Sequence, residues 1–195
     1  MRLGEFQFLA LLAVASVTLG SDENKKAIDY PKRVNLEAKI SIKKTSANMS
    51  INDVRQQISG YFLLQDEASI YDSPVGGLKG KYWIIGQTVG GWSTGGTGKF
   101  IVFQRDDWSA ELPLKGSAQV SVKETSTMFD KTGSGKFGYE YYGYLLVIQD
   151  PSDKYIIIKS NKKEFEEGGS AFLQLEEHMT FDKDLKPKAR GSWYN

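Results

Sequence analysis

The chain has 195 residues and no cysteine. Disulfide frameworks, thiolate-bound zinc, iron–sulfur clusters and thiol nucleophiles are therefore all excluded. The single histidine, His178, rules out any site that needs two imidazoles. Charge of either sign is not in excess, with 25 Lys+Arg against 24 Asp+Glu. Binding to a nucleic-acid backbone needs a basic surface that displaces counterions, so no nucleic-acid partner is expected. With 40% hydrophobic and 25% charged residues, the composition is that of an ordinary globular domain.

Long apolar runs are missing except at the N-terminus. Met1-Arg2 precedes Phe8-Leu9-Ala10-Leu11-Leu12-Ala13-Val14-Ala15-Ser16-Val17, and small and polar residues follow through Gly20-Ser21-Asp22. This is the layout of a secretory signal peptide over residues 1–20, too short for a stable membrane anchor. The protein is accordingly expected to be secreted. Asn48-Met49-Ser50 is a glycosylation sequon, placing Asn48 on a surface loop if the host is eukaryotic. Residues 21–34 read as a polar leader, 35–181 as a single β-domain and 182–195 as a C-terminal segment.

Period-two alternation dominates that domain. Leu36, Ala38, Ile40 and Ile42 alternate with Glu37, Lys39, Ser41 and Lys43, as in a strand with one wet face. Ile51, Val54 and Ile58 instead fall at helical spacing, predicting a short helix ended by Gly60. From Tyr61 onward the chain reads as strands separated by turns. The last firm strand is expected where Ala171, Leu173, Leu175, Met179 and Phe181 share a face opposite Gln174, Glu176, His178 and Thr180, preceded by a charged loop through Glu166-Glu167-Gly168-Gly169. About eight or nine strands with one short helix predict an all-β fold, an antiparallel β-barrel or β-sandwich. Phe100–Phe103, Leu145–Ile148 and Tyr155–Ile158 are apolar at successive positions, so both faces of those strands must be covered.

Phosphate-loop and cation-loop patterns fail on inspection. Gly133-Ser134-Gly135-Lys136-Phe137-Gly138 has the spacing of a dinucleotide fingerprint, but a tyrosine-rich strand follows where the motif needs a helix N-terminus. Counted as a calcium loop from Asp130, Tyr141 stands where the bidentate carboxylate belongs. No cofactor and no metal is expected.

The aromatic residues carry more information. Trp83 and Trp92 flank a hairpin with a glycine-rich mouth at 89–98, and Tyr139, Tyr141, Tyr142 and Tyr144 crowd one strand. Simple alternation puts Tyr139 and Tyr141 on one face and Glu140, Tyr142 and Tyr144 on the other. Tyr139-Glu140-Tyr141-Tyr142 resembles the nucleophile strand of jelly-roll xylanases, over four residues only. Trp83, Trp92, Tyr142 and Tyr144 are the candidate ligand-binding residues, because aromatic rings with polar tips hold sugars or amphipathic small molecules. The first reading is a secreted, non-catalytic binding protein for a small apolar ligand or a carbohydrate. A second is a glycan-active enzyme using paired carboxylates Glu140 and Glu176, with His178 as an alternative base. A third is a structural or host-interaction protein that forms homo-oligomers through an apolar sheet face.

Overall fold

The computed structural model describes residues 33–46, 53–67, 73–89, 99–130, 138–149 and 156–188. The expected signal peptide, most of the leader, Asn48, Trp92 and Tyr155 lie outside the described residues. Among the described residues, nine antiparallel strands form two sheets. The smaller has the order β1-β2-β5, from β1 (Val34–Ser46), β2 (Asp53–Asp66) and β5 (Ser117–Asp130). The larger has the order β7-β6-β3-β4-β8-β9, from β3 (Gly76–Thr88), β4 (Phe100–Leu112), β6 (Tyr139–Gln149), β7 (Ile156–Ser160), β8 (Thr180–Phe181) and β9 (Pro187–Lys188). The chain is thus nearly all β, in the manner of a half-barrel or sandwich.

Of the helix expected around Ile51–Ile58, the described part, from Asp53 onward, is strand. Val54, Gln56, Ile58, Phe62 and Leu64 point inward from β2, and β1 and β5 pair with it on both sides. Ladders on both sides pair nearly the whole backbone of β2, which overrides a helical spacing carried by three apolar residues. Gly60 ends nothing. It sits at a bulge with φ +150, and a Cβ there would come 2.1 Å from the Lys39 carbonyl oxygen, so close approach of β1 is what requires glycine.

Between the sheets, Ile58, Phe62 and Leu64 of β2 meet Tyr82, Ile84, Trp108 and Leu146 of the larger sheet. The other face of the larger sheet carries Trp83, Ile85, Val102, Leu145 and Val147. It is covered by helix α1 (Lys163–Gly168) and the 3-10 turn Gly169–Gln174, through Phe165, Phe172, Leu175, Phe181 and Leu185. This second cover accounts for the strands with apolar residues on both faces.

That cover also replaces the expected last strand. Phe172 is fully buried while Leu173 is 42% exposed. Inward side chains therefore recur at three-residue spacing, Phe172 then Leu175, and not at two. The expected charged loop is α1, anchored by buried Phe165. Only Thr180–Phe181 remains a strand, and His178 occupies a turn with φ +64 rather than a strand face. Leu185 and the β8–β9 pairing tie residues 182–188 to the same body.

A buried ion pair locks one end of the molecule. Asp66 accepts from Arg33 Nε at 2.6 Å and Nη2 at 2.9 Å and from the Lys115 backbone N–H at 2.9 Å, while Arg33 Nη2 also donates to the Ser73 carbonyl. Both charged side chains are fully buried. This joins the start of β1, the end of β2 and the β4–β5 corner. Asp66→Ala, which strands the guanidinium, is expected to cost about 3–5 kcal/mol in urea unfolding. Phe172→Ala is expected to cost a similar amount, about 3–5 kcal/mol, by opening a cavity under the helical cover.

Candidate functional site

The aromatic residues singled out by the sequence do not form one wall. Trp83 is fully buried, its Nε1–H donating to the Leu175 carbonyl at 2.9 Å, with Phe172 edge-on at 6.2 Å. Tyr142 lies on the same side, its ring 5.2 Å from Phe100 and under the Lys162 ammonium, its hydroxyl donating to Glu164 at 2.7 Å. Tyr144 is on the opposite side, against Phe62 in the inter-sheet core.

A bulge causes this separation. Ile85 pairs with Gly143 and Gly86 with Tyr141, leaving Tyr142 as the extra residue. One inserted residue reverses the phase of alternation, so Tyr144 joins Tyr139 and Tyr141 on the inner side. Simple alternation had grouped it with Tyr142.

The carboxylates are likewise dispersed among different partners. Glu140 lies 3.8 Å from Lys44 of β1, and Glu176 lies 2.8 Å from Arg105 of β4. His178 Nε2 is 3.7 Å from the adjacent Glu177 and is largely exposed. Among the described residues, no group of three or more His, Asp or Glu side chains is placed to hold a metal ion.

A polar cluster forms instead where the two sheets part. β4 and β5 are consecutive in the chain, joined by residues 113–116, yet they belong to different sheets. On its second side β4 pairs with β8 only at Phe100 and Ile101, so from Arg105 onward that edge has no strand partner among the described residues. Inside this seam the Tyr82 hydroxyl donates to Asp106 Oδ2 at 3.1 Å. It accepts from Gln104 Nε2 at 2.6 Å and from the Lys123 backbone N–H at 3.2 Å. Gln104 Nε2 also donates to Asp106 at 2.7 Å.

A cleft of about 330 Å³ opens over this network, walled by Tyr82, Asp106 and Trp108 on one side and Gln119, Ser121 and Lys123 on the other. Trp108 lies over Gly80, where a Cβ would come 3.0 Å from its Cε2 atom. Its indole nitrogen and Gln104 Oε1 are buried without a hydrogen-bond partner among the described residues. Such groups cost free energy unless something supplies the missing bond. Chemically, the cleft brings a carboxylate, an ammonium, an amide and a hydroxyl together in one small volume, over the edges of two rings that are themselves buried.

Residues of three strands build this site, so no motif spacing marks it. The only signal in the sequence was indirect. Gln119, Ser121 and Lys123 read as the wet face of a strand, and Asp106-Asp107 interrupt the apolar start of β4.

Comparison with known proteins finds no family model, no curated protein and no solved structure that matches this chain.

Four of the described tyrosines hold their phenol protons above the ordinary value, Tyr144 among them through burial. Tyr82 and Tyr141 are pushed up to about 12, chiefly by burial, and Tyr142 to about 12, chiefly by its hydrogen bond to Glu164. Above the ordinary value of 10.0, the folded chain keeps phenol protons that the unfolded chain has lost, so raising the pH favours unfolding. Stability measured by chemical denaturation is expected to fall between pH 10.0 and about 12. Tyr82→Phe should show a shallower fall across that window.

Proposed function

We propose that this protein is a non-catalytic carbohydrate-binding protein that takes its ligand in the seam between β4 and β5, and that it acts outside the cell after removal of its first 20 or so residues. The observation that carries the reading is the composition of the seam cleft. Sugars present apolar C–H faces and many hydroxyls, each both donor and acceptor. Asp106, Gln119, Ser121 and Lys123 supply groups for the hydroxyls, above the largely buried rings of Tyr82 (2% exposed) and Trp108 (9% exposed), whose exposed edges give a small apolar base.

An apolar ligand held in the interior draws less support, because Phe62, Tyr82, Ile84, Trp108 and Leu146 occupy the space between the sheets. The glycan-cleaving reading also draws less. Glu140 and Glu176 are each engaged with a different cation, whereas that chemistry needs two carboxyl groups facing one glycosidic bond. Oligomerisation through the second apolar sheet face is not called for, since the chain's own helical segment lies on that face.

Saturation-transfer NMR with glucose, galactose, mannose and N-acetylglucosamine tests the proposal. At least one sugar is expected to give transfer at millimolar concentration. Ser121→Phe, which fills the cleft from an exposed strand position, should weaken that binding about tenfold or more while the melting temperature moves by no more than about 2 °C. Absence of transfer from all four sugars and their oligomers would overturn the reading.

A further inference from the structure

We propose that the ligand continues from the seam across the edge of β4 into a second hollow, so that the protein holds at least two linked sugar rings. The inference rests on the carbohydrate reading and specifies the length of the ligand.

The second hollow, about 380 Å³, lies over the outward face of the β3–β4 pair and is lined by Gly77, Lys79, Ser109 and Glu111 with the backbone of Leu78 and Ala110. Ser109 lines both hollows, so the two meet at that residue on the edge of β4. Register explains the outward orientation. Gly77 pairs with Glu111 and Lys79 with Ser109, while the intervening Leu78 and Ala110 pack inward. Alternation therefore sends Lys79, Ser109 and Glu111 to the outside, with Gly77 between them.

Gly77 is the telling residue. Its neighbour Gly76 has φ +87, a left-handed conformation that favours glycine, but Gly77 does not. The only atoms a Cβ at Gly77 would crowd belong to the flexible Glu111 carboxylate, 2.9 Å away at Oε1. The backbone does not demand a glycine here, but its missing Cβ leaves room for that carboxylate. Glycine in a strand weakens pairing and often marks a bulge, a bend or a close approach to the backbone, and here the group that approaches is the flexible Glu111 side chain. The Glu111 carboxylate lies across Gly77 and, with Ser109 and Lys79, offers hydrogen-bonding groups to the hydroxyls of a sugar ring resting there. Lys79 and Glu111 balance in charge, which suits a neutral saccharide. Each hollow alone is at the lower end of small-molecule site volumes, so one ring per hollow is the fitting occupancy.

Isothermal titration of the full mature chain with glucose, galactose, mannose and N-acetylglucosamine, and with the homo-disaccharide and homo-tetrasaccharide of each, is the test. For the preferred sugar the disaccharide is expected to bind about tenfold or more tighter than the monosaccharide. Gly77→Val, a residue suited to strands, should remove that gain by filling the second hollow, and Glu111→Ala should reduce it without adding bulk. If the monosaccharide binds as tightly as its oligomers, or if Gly77→Val weakens the monosaccharide as much as the disaccharide, the two-ring inference is overturned and the carbohydrate reading stands. If no saccharide of any length binds, both fall. The wild-type dependence on chain length decides the point even if a variant does not fold.

Discussion

The six-stranded sheet is apolar on both faces, and one chain has to keep water from both. Tyr82, Ile84, Leu146 and Ile148 project to one side, and Trp83, Ile85, Leu145 and Val147 to the other. Burying each such side chain is worth roughly 1.5–3 kcal/mol, so neither face can be left open. The three-stranded sheet covers the first and the helical segment 163–174 the second. The bond from Trp83 to the Leu175 carbonyl fixes the second cover in place while satisfying an indole N–H that would otherwise be buried alone. Without cysteine, these two interfaces and the Arg33–Asp66 pair are the means of holding the layers together.

Covering both faces leaves one weak line, the seam at which the chain passes from β4 in one sheet to β5 in the other. Strand edges that do not pair must meet their hydrogen-bonding needs some other way. The Tyr82 hydroxyl does so for the Lys123 amide while itself held by Gln104 and Asp106. Polar groups thus gather at the seam because the sheets part there. The proposed site and the fold have one origin.

Most strands were legible. Leu36, Ala38 and Ile40 in β1, and Val120 and Val122 in β5, show period two because one face of the smaller sheet meets solvent. The reading failed where two or three apolar residues matched the wrong period and contacts with distant strands decided the outcome. Ile51, Val54 and Ile58 imitated a helix in what is partly a central strand. Leu173 and Leu175 imitated a strand in what is a 3-10 turn and its exit. The tyrosine strand was recognised, but one inserted residue at Tyr142 regrouped its side chains, and no local pattern announces a bulge that depends on the neighbouring strand.

By itself, the sequence determined an antiparallel all-β fold without thiol chemistry and with the apolar strands that make its centre. These follow from residue types and from local period, which act within a few residues. Only the tertiary structure decided that Trp83 is core, that Tyr142 and Tyr144 face opposite ways, and that Tyr82, Gln104, Asp106 and Lys123 meet across a seam. Those outcomes depend on which edges pair, on the bulges that shift register and on what covers the second face. Each is set by contacts between residues far apart in the chain, which no local pattern encodes.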